Sequence, residues 1–534
     1  MSRHASFAFV VAMLGGLAAC GSFDSSDPSA PTNTPDSGGP TADSGLDAVG
    51  GEAARGITLT AGEAGKTVFV MQGKTATAAV KLVRRNGSVG PVAVTVKNLP
   101  TGVTADALTI AAGANDATLT LHAASTAPQG LTSLDIAAVE SVANGASATA
   151  KLDAFVRGLS GTLDTTFGTE GVFKNVFASG TSGASDARIL KNGSIVISGH
   201  RTNTFTLVRL TPAGVLDTTF GGGAGRANIG GGQGELLLDV HEGASTADSF
   251  ISALAVGAIT PSLMRSSLDG LAATAFGGTG QVPVVLGLGN ASGVQTIASP
   301  DGTALVLSNH FGTTKAGVVS RWKPDGTLDT AYGSAGTCQL TGSGTAGEVS
   351  GTSRMFPQPS GGVRVALSLG SAGGAMKGCS ASGAVDTSLG TVPDYFRAVP
   401  GSIDATPYFD GGILFLGGSA WGRVNAAFLV DTGLGNFGSV TTTPEIPSAV
   451  SVVGQTDGSV IVAGTGVATG TFVVMRFKAT GIRDPDFATA GVATITVATN
   501  NATMTRMVAQ PDGRLLLLGR DDDMFDGVIA RIWP

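Results

Sequence analysis

The side chains able to do chemistry in this chain are few, and the most regular of them are charged pairs. An arginine stands eight residues ahead of an aspartate at Arg209 and Asp217, at Arg321 and Asp329, and at Arg476 and Asp484. A bidentate Arg–carboxylate pair is short and geometrically specific, so the recurrence reads as one brace repeated at successive turns. The rival reading is a ring of arginines that binds an anion. Arg265 and Arg531 hold the same place in the pattern, but Arg265 has no aspartate after it and Asp386 has no arginine before it. The five histidines share no motif with a cysteine, serine or acid, and no HExxH, GxSxG or phosphate-loop pattern occurs. No catalytic residue, metal or cofactor is therefore expected. The aspartates at 521–523, followed by Asp526 and Gly527, lack the spacing of an EF-hand loop and are expected to form a solvated hairpin tip.

Cysteine chemistry divides in two. Cys20 follows a charge-free run from Phe7 to Ala19. That run is shorter than the roughly 20 residues that span a bilayer and fits the apolar region of a signal peptide. It ends Leu17-Ala18-Ala19-Cys20-Gly21, which resembles the lipobox of bacterial lipoproteins. The resemblance implies cleavage before Cys20, acylation of that residue and firm anchoring, at about 0.8 kcal/mol per buried methylene. Gly21, where an aspartate would favour the inner membrane, implies the outer membrane, with either face open. Residues 1–19 are then a signal peptide and residues 20–55 a disordered tether rich in Ser, Pro, Asp, Thr and Gly. Cys338 and Cys379, 41 residues apart, remain after lipidation. Export makes a disulfide between them feasible; two separately buried thiols are the alternative. Alignment of the repeats described below puts both in one unit, and so in one sheet.

The elements that position these groups follow from composition. Glycine accounts for 81 of the 534 residues, and charged residues make up 13%. Glycine weakens a helix by roughly 1 kcal/mol per residue, so an all-β chain of short strands and tight turns is expected. A net charge of -7 excludes nucleic-acid binding on overall electrostatics. Residues 56–157 alternate with period two, most clearly at 75–83, 92–97 and 117–121, as strands with one buried face do. Seven or eight such strands predict a small β-sandwich. Segments 94–103 and 108–110 resemble bacterial immunoglobulin-like modules, without the cysteine pair and tryptophan of antibody domains. The resemblance implies a spacer or an adhesion module.

Residues 158–534 repeat. Gly161-Thr-Leu-Asp-Thr-Thr-Phe-Gly168 returns at Gly214 to Gly221 and, with Tyr for Phe, at Gly326 to Gly333; weaker copies are led by Gly270, Gly383, Gly433 and Gly481. These leading glycines lie 53, 56, 56, 57, 50 and 48 residues apart, which predicts seven stacked supersecondary units. Between them lie turn-and-strand runs such as Asp457-Gly-Ser-Val-Ile-Val-Ala-Gly464. Their unbroken apolar character implies sheets covered on both faces. Four strands in each of seven units predict a seven-bladed β-propeller. The anchors resemble the delta-60 repeat β-propeller family of bacterial secreted proteins, whose repeat implies no catalytic residue. The segment Val528-Ile-Ala-Arg-Ile-Trp-Pro534 is in phase with Leu207 to Pro212, just before an anchor. The first anchor, at 161–168, is expected to supply the next element and seal the ring.

Two function classes remain. The expected one is a cell-envelope lipoprotein that binds or scaffolds a protein or glycan through its propeller without turnover, reaching the membrane through Cys20. The other is an exported propeller enzyme of lyase or glycosidase type with a loop-built site at one mouth. Clustered acids with a basic partner in that mouth point to the enzyme; a shallow, apolar or aromatic rim points to binding. Three Tyr and three Trp leave little for a dedicated sugar platform.

Overall fold

A computed structural model describes residues 55–63, 66–178, 183–232, 235–244, 249–255, 260–311, 315–341, 354–368, 374–387, 404–426, 429–435 and 438–534. Cys20 and the expected signal segment lie outside them. The described residues form strands joined by turns, with no α-helix.

The strands of residues 56–157 form two facing sheets. One runs in the order Gly56–Ala61, Thr75–Arg85, Asp116–Ala123, Val103–Ala105. The other runs Val68–Met71, Ser147–Arg157, Gly130–Glu140, Val92–Lys97, Leu108–Ile110. Alternation explains the packing: in Thr75–Arg85 the buried positions are Ala78, Val80 and Leu82, and they meet Leu119, Leu134, Ile136 and Leu152 in a single core. Nine strands are present where seven or eight are expected. Segments as short as Val103–Ala105 and Leu108–Ile110 carry too little alternation to count.

Among the described residues from 158 onward, seven further sheets follow. Their innermost strands are Ala184–Ile189, Leu236–His241, Ala291–Ala298, Arg354–Pro357, Asp404–Pro407, Ser448–Gly454 and Ala502–Ala509. Each of these touches the next, and the last touches the first, so the sheets form a closed seven-membered ring. The middle strands are covered on both faces by their neighbours; Ile413–Gly417 is buried at every position, as is Asp526–Ile532. The final sheet is built from both chain regions. Val172–Lys174 pairs antiparallel with Asp526–Ile532, aligning Phe173 with Ile529. Six sheets show four strands; the one from Arg354–Pro357 to Gly374–Cys379 shows three, and residues 388–403, after its anchor turn, lie outside the described residues.

This closure shifts repeat units against sheets, because the short strand after each anchor belongs to the preceding sheet. Cys338 therefore sits on Thr337–Leu340, the outer strand of one sheet, and Cys379 on Gly374–Cys379 of the next. The expectation that both cysteines share a sheet is corrected accordingly. The sixth anchor also moves. Asp431 N donates to Arg423 O at 3.0 Å, as Asp217 N does to Arg209 O at 2.9 Å. Leu434 and Gly435 thus stand where Phe220 and Gly221 stand, and the anchor does not begin at Gly433. Sequence alone misplaces it because its leading glycine is replaced.

The sandwich meets the propeller beside the seam. Gln129 Oε1 accepts from Trp533 Nε1 at 2.9 Å and from Thr165 N at 3.0 Å, while its Nε2 donates to Leu163 O at 3.1 Å. Phe155 packs edge-on against Trp533.

Candidate functional site: turn braces and the axial channel

Five of the seven anchor turns pair an aspartate with the arginine that precedes it in the repeat pattern. Arg209 Nε donates to Asp217 Oδ2 at 2.7 Å, and Arg321 Nε to Asp329 Oδ2 at 2.7 Å. Arg476 Nε lies 3.2 Å from Asp484 Oδ2. Arg531 Nε repeats the contact across the seam, 2.7 Å from Asp164 Oδ2. Arg423 pairs with Asp431 through Nη2, a pair that the misplaced sixth anchor hides from sequence reading. Where the arginine is missing, Asp386 is served instead by Arg364 from the adjacent strand, at 3.1 Å. The aromatic of each FG pair lies under a guanidinium: Phe220 is 4.9 Å from Arg209, Tyr332 4.9 Å from Arg321 and Phe167 4.5 Å from Arg531. Nη1 then reaches a carbonyl of the neighbouring repeat, as from Arg209 to Leu268 O at 2.9 Å. The free oxygen of the aspartate holds the turn, with Asp217 Oδ1 accepting from Thr219 N at 3.0 Å. The Thr219 hydroxyl is the largest influence keeping the Asp217 carboxyl below the usual range. Every contact is internal, so these residues tie blade to blade.

Cys338 and Cys379 are joined by a disulfide, with Cα atoms 6.3 Å apart. The 521–526 segment is a hairpin turn; Asp521 and Asp526 are buried at its base, and Asp526 Oδ1 accepts from Phe177 N at 3.0 Å. Among the described residues no three His, Cys, Asp or Glu side chains come together as a metal site.

A second set of polar residues, on the innermost strands, is missed by sequence reading. Asp186 Oδ2 accepts from Leu238 N at 3.0 Å, Asp239 Oδ2 from Ala298 N at 2.8 Å, and Gln295 Oε1 from Met355 N at 2.7 Å. Arg354 Nε donates to Asp404 Oδ1 at 2.9 Å, whose Oδ2 accepts from Val452 N at 3.1 Å. Ser451 Oγ donates to Met507 O at 3.3 Å. Arg506 Nε, 2.9 Å from Asp186 Oδ1, returns the series to its start. All seven junctions are thus clasped in one rotational sense. The signal was present in the sequence. Asp186, Gln295, Arg354, Asp404, Ser451 and Arg506 each precede a turn glycine (Gly193, Gly302, Gly361, Gly411, Gly458, Gly513) by seven residues.

Four innermost strands carry a register shift just before the clasping residue, at Ser185, Val294, Val450 and Thr505. A bulge re-aims a side chain, and these four line an axial cavity of about 510 Å³ with Glu235, Asn309, Phe311, Arg354 and Arg506 among its other walls. Burial works to raise the Asp186 carboxyl; Arg188 and Arg506, with two backbone N–H donors, outweigh it and hold the group low. Burial wins at Asp239 and raises it, despite Arg188 and the Ala298 N–H.

Residues 190–220, a turn, two strands and the second anchor, match the model of a family described as a domain of unknown function (DUF5122) beta-propeller. No curated protein sequence matches the chain. Among solved structures, the chain is similar to prolyl oligopeptidase B from Galerina marginata at 9% identity and a TM-score of 0.35, covering 73% of this chain and 54% of that one. The chain thus spans about half the peptidase's length. It is also similar to a polysaccharide lyase of family PL25, an ulvan lyase, at 11% identity and a TM-score of 0.38, covering 67% of this chain and 94% of that one. Fold class and family model agree on an all-β protein with a β-propeller domain.

Proposed function

We propose that this chain is a lipid-anchored protein of the bacterial cell envelope, held in the outer membrane through Cys20. Its propeller belongs to the delta-60 repeat type and binds a protein or glycan without turnover. In this reading the immunoglobulin-like module is a spacer. The observation that carries the binding reading is the state of the axial carboxylates. Asp186, Asp239 and Asp404 each accept a backbone N–H from the next blade and pair with an arginine. Acids held this way are engaged in assembly. The remaining walls, with half-exposed Phe311 and with Ser292, Ser448 and Arg506, suit the apolar faces, hydroxyls and carboxylates of a bound partner.

One observation favours the lyase or glycosidase reading. Acids with basic partners do gather at the axis, and burial raises Asp239 as a general acid requires. The same experiment tests both. The full chain is titrated calorimetrically with uronate-containing oligosaccharides, and the recovered sugars are sized. Saturable binding with intact sugar, weakened by Arg506→Lys, supports the binding reading; shortened sugar supports the enzyme. Cys20→Ala is expected to move the protein out of the detergent phase of fractionated cells. Retention there would overturn the anchor.

A further inference from the structure

The second repeat breaks the brace, and the break leaves a built cavity. Ala273 stands where other anchors carry aspartate. Its N donates to Arg265 O at 3.0 Å, the same backbone contact as Asp217 N to Arg209 O and Asp329 N to Arg321 O. The register is therefore intact, and only the carboxylate is gone. Arg265 keeps its place as well. Its Nη1 donates to Pro324 O at 3.3 Å, the carbonyl equivalent to Leu268 O for Arg209 and Ala381 O for Arg321. Its guanidinium lies 4.8 Å from Phe276, as Arg209 lies 4.9 Å from Phe220. With backbone, carbonyl and ring all matched, the Nε of Arg265 addresses the space that an aspartate at 273 would fill. That Nε is buried and has no acceptor among the described residues.

Burial makes this consequential. Arg265 is only 7% exposed, and burial alone lowers its pKa to about 10. The Phe250 ring at 4.1 Å and the Gly302 carbonyl at 2.6 Å from Nη2 offset part of the cost. Among the described residues no side-chain carboxylate pairs with it, and a buried charge without a counter-charge is costly. A cavity of about 540 Å³ opens at the same point, lined by Arg265, Ala272, Ala273, Ser249, Ser266 and Ser267. Asp301, also on its wall, has Oδ1 occupied by Thr303 N at 2.9 Å.

We propose that this cavity is a carboxylate-binding site, in which the acid group of a small ligand replaces the missing aspartate on Arg265 Nε. The hydroxyls of Ser249, Ser266 and Ser267 would receive the polar remainder, and the volume admits an acid as large as a sugar uronate. The site is separate from the axial channel and does not depend on what binds there.

The test uses the full chain, with acetate and D-glucuronate as probes and D-glucose and chloride as controls at constant ionic strength. At tenfold excess over Kd either acid should raise the melting temperature by about 1–2 °C. Ala273→Asp fills the site from within: it should raise the melting temperature without ligand and abolish the response to both acids. Ala273→Asn, which adds the same bulk without charge, should abolish the response without the full stabilisation. A response to D-glucuronate alone assigns the site to sugar acids; a response to both assigns it to carboxylates in general. No response in the unmodified chain, or a response in either variant equal to that of the unmodified chain, overturns the proposal. If Ala273→Asp fails to fold, calorimetric titration of the unmodified and Ala273→Asn chains decides by the same criterion.

Discussion

Arg531 Nε and Asp164 Oδ2 stand 2.7 Å apart although 367 residues of chain separate them. The braces of Arg209, Arg321 and Arg476 close a turn within eight residues; this one closes the ring. Arg531 is 1% exposed and Asp164 fully buried, and Arg514 Nη1 adds a second donor to the same oxygen at 2.7 Å. Removing one partner from a buried pair leaves an uncompensated charge, at about 3–5 kcal/mol. Asp164→Asn should therefore lower the unfolding free energy by about that amount. Asp217→Asn should do less, because its pair is partly exposed. Equal losses in denaturant titrations would show that the seam has no special weight.

Gln129 is expected to govern how the sandwich supports the seam. It makes three hydrogen bonds to residues on either side of the closure, and Trp533 Nε1 depends on it. Gln129→Ala leaves a largely buried indole N–H without that partner, at about 1–3 kcal/mol. The measurable outcome is faster proteolysis near Gly158 and a changed tryptophan emission, with the fold otherwise retained. Unchanged proteolysis would mean that the Phe155–Trp533 packing alone secures the junction.

The fold was more legible in the sequence than the site. Anchors such as Gly214 to Gly221 recur because the turn needs a left-handed glycine (Gly214 φ 74°), an aromatic under a guanidinium and an acid on its Nε. Those demands fix residue types, so period and closure can be read. The axial clasp is harder to see because its demand is looser. Asp186, Gln295, Arg354 and Ser451 all satisfy it, since any side chain that can bond to the next strand will serve. Position is kept while identity drifts. The two cysteines illustrate the other loss: their pairing is compatible with their spacing, but their sheets depend on which blade receives each outer strand.

Acid should loosen the ring through its depressed carboxylates. Asp186 is held low by Arg188 and Arg506 against the opposing effect of burial, and Asp217 by the Thr219 hydroxyl and Arg209. Such groups bind protons more weakly folded than unfolded, so stability rises with pH. Their contribution is complete above the unfolded value of about 3.9 and is lost as pH falls through the lower folded values. Asp239 acts in the opposite sense: burial raises it, and protonation there favours the fold. Asp186→Asn should flatten the acid limb of a melting-temperature profile, and Asp239→Asn should steepen it. The reverse order would contradict the assigned environments.

The disulfide and Gln295 hold one blade junction at its two ends. Gln295 exchanges two hydrogen bonds with Met355, at 2.7 and 3.0 Å, on the innermost strands. Cys338 and Cys379 link the same two sheets at their third and fourth strands. Closing a 41-residue loop is worth roughly 4 kcal/mol in the chain-entropy model, a large share of a typical 5–15 kcal/mol. Reduction, or replacement of both cysteines by serine, should therefore lower the melting temperature. Peptide mapping without reductant should recover the two segments linked, and recovery of both as free thiols would remove the bond from the account. The two ends should also be coupled, because a junction tethered outside loses little when its inner contact is cut. Gln295→Ala should accordingly destabilise the reduced protein more than the oxidised one, by about 0.5–3 kcal/mol of interaction energy. Equal effects in both redox states would mean that the inner and outer ends of this junction act independently.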